Sequence, residues 1–163
     1  MSVARPFRVL GLHHVAIGHV DLAKLQFLWG DMLGLALGVP VVLEAENVKG
    51  SMATIGSGVS AVEMDFLQPL DVNGKPAPHL PPLNHVALWV DSLPEAVVWL
   101  AAQGMRFAPG GIRKGAAGRE MAFIHPRASA EFPLSGEGVM IELVQAPPDV
   151  VAAYATIEAT VNR

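Results

Sequence analysis

The chain states one pattern twice, and that duplication restricts its possible folds more than any other feature. His14-Val15-Ala16-Ile17 near the start is answered by His85-Val86-Ala87-Leu88 past the middle, each a histidine opening an apolar, strand-like run. Each half closes on a strand that carries a carboxylate, Asp65-Phe66-Leu67-Gln68-Pro69 in the first and Glu142-Leu143-Val144-Gln145-Ala146-Pro147 in the second. The order between these ends is shared as well. Residues 11–19 alternate as a strand, and from Asp21, a predicted N-cap, Leu22, Leu25, Phe27, Leu28 and Leu33 recur at helical spacing until Gly34. Strands are predicted at 39–43, 51–55 and 61–67. The second copy repeats this as a strand at 84–90, a helix over about 94–103 ended by Gly104, a short strand at 105–107, and strands at 120–125 and 138–144.

A βαβββ module of roughly 60 residues cannot bury its sheet face alone, so two copies are expected to form one unit. The predicted class is α+β, a single domain over 1–163. Module 1 covers about 10–70 and module 2 about 83–147, with a linker at 71–82 marked by Asn73-Gly74 and four prolines. Pro147-Pro148 breaks the last strand. A C-terminal helix over 148–163 follows, with Val150, Val151, Tyr154, Ile157 and Val161 on one face for packing on the domain or a second subunit.

Composition narrows the chemistry. Hydrophobic residues make up 52% and charged ones 16%, as in a globular fold, and a net charge of −4 with 11 dispersed basic residues gives no footprint for nucleic acid. The aromatic residues Trp29, Trp89, Trp99, Phe27 and Phe107 lack interleaved basic residues and read as packing. No cysteine is present, so any metal must be held by N and O ligands. The start lacks the apolar core of a signal peptide and no apolar run reaches about 18 residues, which gives the expectation of a cytoplasmic protein away from membranes.

A repeat places equivalent residues around a pseudo-twofold axis, so a histidine ligand in one copy predicts one in the other. His14 and His85 are therefore paired as metal ligands. Glu63 and Asp65 share a strand face. Asp65 is preferred because it precedes a glutamine by three residues, as Glu142 does. Two imidazoles and two carboxylates suit a divalent ion such as Co, Zn, Mn, Ni or Fe(II), and Lewis acid chemistry is its natural use.

Ile112-Arg113-Lys114-Gly115-Ala116-Ala117-Gly118-Arg119, then Phe123-Ile124-His125-Pro126, then Gly138-Val139-Met140-Ile141-Glu142-Leu143 resemble a glycine loop, strand end and closing strand known elsewhere. The chain resembles the vicinal oxygen chelate superfamily (the glyoxalase and bleomycin-resistance fold), and within it the methylmalonyl-CoA epimerase family, over nearly all of 12–145. That resemblance implies paired βαβββ modules forming a U-shaped metal pocket. It implies His14, Asp65, His85 and Glu142 as ligands, with Asp65 standing where the family has Gln or Glu. The implied activity is that of an isomerase, epimerising methylmalonyl-CoA or a similar acyl-CoA by 1,2-proton transfer through a metal-stabilised enolate. Two carboxylates then serve as acid and base, the Glu142 position and one on 43–48, where Glu44 and Glu46 share a face if the strand is regular; Glu46 is slightly favoured because Val48 then aligns.

The resemblance also implies a homodimer and a small acyl-CoA or similar thioester substrate. Arg113, Lys114 and Arg119 read as surface charge or as contacts to its phosphates or carboxylate. Ala117 stands where the family's loop has histidine, the linker is Pro-rich where the family has a helix, and 128–137 looks like an altered loop. His125 reads as structural, and His13, His19 and His79 receive no role. Other readings of the same fold are a glyoxalase I-type lactoylglutathione lyase, an extradiol dioxygenase using His14, His85 and Glu142, and a metal-free ligand-binding protein. The glycine loop and Phe-x-His-Pro favour the epimerase over the lyase, a fourth protein ligand disfavours the dioxygenase, and retention of all four ligands disfavours the binder.

Overall fold

The computed structural model describes residues 4–115 and 117–161, without the side chains of Glu158, Ala159 and Val161. The strands are β1 (Val9–Gly18), β2 (Val41–Leu43), β3 (Val48–Ile55), β4 (Val62–Pro69), β5 (Leu83–Val90), β6 (Arg113–Lys114), β7 (Glu120–Ile124) and β8 (Ile141–Gln145). Helices are α1 (Leu22–Leu25), α2 (Leu93–Ala102) and α3 (Pro148–Val161). The eight strands form one sheet in the order β2-β3-β4-β1-β5-β8-β7-β6, and the class is α+β as expected. The expected short strand at 105–107 is reduced to single bridges, Met105 to Leu134 and Phe107 to Ile124. By contacts the chain divides into two compact units, His14–Val86, and Met1–His13 with Ala87–Arg163.

In the unit His14–Val86, β4 runs parallel to β1 and antiparallel to β3. Leu22, Leu25, Ala53, Met64 and Phe66 form its buried core. Alternation along β4 puts Met64 and Phe66 into that core and leaves Glu63 and Asp65 on the opposite face. Asp21 caps α1, its carboxylate accepting from the Ala23 amide at 3.0 Å. The helix does not continue as the spacing predicts. Residues Gln26–Met32 form a wider, π-helical turn, in which the Leu33 amide bonds to the Leu28 carbonyl five residues back. Gly30 lies inside this turn, where an added Cβ would crowd the Leu37 side chain. As a result Leu22 and Leu25 are buried, whereas Phe27, Leu28 and Leu33 are exposed. Gly34, at φ 79°, ends the element as predicted.

In the other unit, α2 packs Leu93 and Ala96 against Phe7, Val90, Ala122, Ile124 and Leu143. A second cluster, Leu10, Ala87, Trp89, Met121, Val144 and Ala146, receives Val150, Val151 and Tyr154 from α3. A Cβ at Gly11 would overlap the tip of the Tyr154 side chain, so α3 lays Tyr154 directly over the β1 backbone there. Ile157 of the expected helical face is exposed, and the Val161 side chain lies outside the described residues.

The repeat carries a matching hydrogen bond that the sequence pattern only marks. The Gln68 side-chain oxygen accepts from the Leu22 amide at 2.7 Å, and the Gln145 oxygen accepts from the Leu93 amide at 2.8 Å. Each module thus ties the first amide of its helix to the end of its last long strand, satisfying a donor that a helix start leaves open. Gln145→Ala is expected to cost about 1–3 kcal/mol, since Leu93 is fully buried and its amide would lose its partner. A urea midpoint unchanged from wild type would contradict this.

Arg8 and Asp91 join β1 to the turn before α2: the Arg8 amide donates at 2.7 Å and its Nε at 2.8 Å to the two carboxylate oxygens. Burial raises the Asp91 carboxyl, but the hydrogen bonds and charge of Arg8 outweigh it and hold its pKa below the ordinary value. A depressed folded pKa means the stabilisation is present above the unfolded value and is lost as pH falls through the folded one. The urea-midpoint advantage of wild type over Asp91→Asn is therefore expected to be full at neutral pH and to shrink in acid; an advantage independent of pH contradicts the assignment.

Candidate metal centre

Two imidazole edges meet between the repeated strands, mid-way along β1 and near the start of β5. His14, buried on β1, and His85, half-buried on β5, face each other with their Nε2 atoms 2.8 Å apart. The rings are nearly perpendicular, at 81°. Asp65 on β4 brings a carboxylate oxygen to 3.9 Å from His14 Nε2. The β1–β4 register pairs His14 with Glu63 and Ala16 with Asp65, so both acids line the His14 face of β4. Asp65 reaches His14 diagonally.

Support for this pair comes from the linker. His85 Nδ1 lies 2.7 Å from the Asn84 side-chain oxygen, and the Asn84 amide nitrogen donates to the Pro78 carbonyl at 3.1 Å. Pro78 sits so close to β1 that a Cβ on Gly18 would overlap its carbonyl, and the Gly18 amide donates to the Pro82 carbonyl at 2.7 Å. The Pro-rich segment is thus packed against the strand that carries His14.

Glu142 lies in the other unit, buried on β8, where it pairs across from Phe123 on β7. On the same unit, Arg113 lies with its guanidinium 5.4 Å from the Phe123 ring and Arg119 5.2 Å from the Trp89 ring, on which His13 also packs. Lys114 and Ala117 are exposed, and Ala116 is outside the described residues. His125 closes its own turn, its Nδ1 accepting from the Arg127 amide.

The strand geometry expected at 43–48 is corrected. Glu44–Glu46 form a single 3₁₀ turn and Asn47 adopts a left-handed conformation at φ 53°. Residues two apart in such a turn diverge by about 120°, so Glu44 and Glu46 do not share a face. Asn47 fixes the turn: its side chain donates to the Asp71 and Pro76 carbonyls and accepts from the Asp71 amide. Both glutamates are exposed.

Donor chemistry fits a divalent ion: two imidazole nitrogens with carboxylate oxygen, and no sulfur, are the N/O set such ions accept. Comparison with known proteins bears on what that set is for. The family model for the Glyoxalase/Bleomycin resistance protein/Dioxygenase superfamily matches residues 13–123. The chain belongs to this superfamily. Among curated members of it, the mitochondrial methylmalonyl-CoA epimerase of Bos taurus is 29% identical over 140 residues, covering 83% of this chain and 74% of the relative. The Homo sapiens enzyme is 28% identical over 83% of this chain and 73% of its own length. The solved methylmalonyl-CoA epimerase of Mycobacterium tuberculosis superposes with a TM-score of 0.68 at 25% identity, over 93% of this chain and 97% of that one. A Streptomyces coelicolor epimerase in complex with 2-nitronate-propionyl-CoA gives 0.70 at 20% identity, over 85% and 99%, and so supports the fold. These superfamily members are isomerases. No helix among the described residues is long and apolar enough to cross a membrane.

Asn84 is the residue at this centre that the repeat misses, because the equivalent place before His14 holds His13. The mismatch is visible in the sequence, but its meaning depends on where Pro78 lies.

Proposed function

We propose that the chain is an isomerase that epimerises methylmalonyl-CoA or a similar acyl-CoA with the help of a divalent metal ion. The observation that carries this is the Nε2-to-Nε2 approach of His14 and His85, in a chain whose relatives are epimerases. His14 and His85 are proposed as two ligands of that ion and Glu142 as a third, the N/O donor set that a divalent ion accepts. Asp65 is proposed as the fourth ligand, its shorter side chain standing beside His14. Such an ion supplies Lewis acid stabilisation of negative charge developing on a thioester oxygen.

Epimerisation requires a proton to leave one face of the carbon between thioester and carboxylate and to return on the other. We assign these tasks to two carboxylates, Glu142 and the Glu44–Glu46 turn, with Glu46 the first choice. Glu142 is buried, whereas the Glu44–Glu46 turn is exposed and would carry solvent deuterium to the other face of that carbon. The glycine-loop cations Arg113 and Arg119 are held over aromatic rings, which leaves their outer N–H groups for anionic groups of an acyl-CoA.

The direct test is proton NMR of methylmalonyl-CoA in deuterium oxide with metal-loaded protein. Loss of the α-proton signal is expected; its retention at full metal occupancy overturns the epimerase reading.

A further inference from the structure

We infer that Asn84 is a positioning residue for the histidine centre, holding His85 in the tautomer that presents an Nε2 lone pair, and that the Pro78 carbonyl sets Asn84 for this task. The inference deepens the metal reading above. The amide orientation follows from its neighbours. Turned over, Asn84 would set its oxygen against the Pro78 carbonyl oxygen, two acceptors with no proton between them. With the nitrogen donating to Pro78 at 3.1 Å, the oxygen faces His85 Nδ1 at 2.7 Å and accepts from it. A neutral imidazole carries one N–H. Protonation at Nδ1 therefore leaves the lone pair on Nε2, the atom that points at His14. In the metal-free protein His14 Nε2 is then the donor of the 2.8 Å bond.

The chain of contacts starts in the linker. Gly18 admits the Pro78 backbone, Pro78 orients Asn84, and Asn84 orients His85. The Pro-rich segment thereby takes part in site geometry rather than merely joining two modules. Hydrogen bonds of this kind to a ligand imidazole commonly govern metal affinity by about 10–100-fold.

Nitrogen-15 NMR of the metal-free wild-type protein, at a pH where imidazoles are neutral, tests the tautomer without any metal. His85 is expected to show a protonated Nδ1 and an unprotonated Nε2; the reverse pattern, or a mixture, overturns the proposal. Titration with Co(II) by calorimetry supplies the second readout. Asn84→Ala is expected to weaken binding by about 10–100-fold and to leave His85 with a mixed tautomer pattern in the nitrogen-15 spectrum. Equal affinity of Asn84→Ala and wild type overturns the proposal. Wild-type protein that shows the expected tautomer but binds no divalent ion refutes the metal reading and leaves the tautomer assignment standing.

Discussion

His85→Ala is expected to weaken divalent-metal binding by more than the about 100-fold that a supporting hydrogen bond governs, and to slow deuterium exchange into methylmalonyl-CoA about a thousandfold, which corresponds to a Lewis acid contribution of about 4 kcal/mol. The reason is geometric. Of the two Nε2 atoms that face each other, neither has a replacement donor two residues on along the same strand face: Ala87 follows His85 on β5, and Ala16 follows His14 on β1, while His13 packs on Trp89. His14→Ala should match His85→Ala in both measurements. Asp65→Ala should cost less, because its carboxylate stands 3.9 Å from His14 Nε2 and its place can be taken by water. Glu142→Ala is the decisive partner experiment, since Glu142 lies in the other compact unit. If it binds metal as tightly as wild type, the four-ligand assignment fails while the histidine pair survives. Metal content by elemental analysis and exchange by proton NMR separate the two effects.

The class and most of the succession of elements along the chain were legible in the sequence because alternation and helix spacing repeat in two copies, and the copies check one another. The histidine pair was legible for the same reason. Gln68 and Gln145 served only as register marks in the sequence, yet they make the same bond to the first amide of their helices. The bond joins residues 46 and 52 positions apart, and no local pattern reports such a distance. Where the two copies differ, the pattern fell silent or misled. The first helix widens into a π turn after Leu25, which exposes Phe27, Leu28 and Leu33 although their spacing is helical. Hydrophobic periodicity assumes about 3.6 residues per turn and cannot register a local change in that number. Asn84 has no counterpart before His14, and its role arises from a proline carbonyl six residues upstream.

The acidic turn gives the sharpest functional discrimination. Glu46→Gln is expected to slow proton exchange at the substrate α-carbon by about 100- to 10,000-fold, the range that positioned acid–base groups contribute, while Glu44→Gln leaves it within a few-fold. Glutamine keeps the shape of the side chain and cannot accept the proton. Had 43–48 been a regular strand, both carboxylates would share a face and either could stand in for the other. The observed 3₁₀ turn separates their directions by about 120°, and Asn47 pins the end next to Glu46 through three hydrogen bonds to Asp71 and Pro76. At most one of the two can therefore face a fixed substrate carbon. Both side chains are exposed, so each substitution should leave stability within about 0.5 kcal/mol, and metal affinity should be unchanged. A loss confined to Glu44→Gln exchanges the two roles. If neither variant slows exchange, the second proton acceptor lies outside this turn, and the epimerase mechanism must draw it from another element.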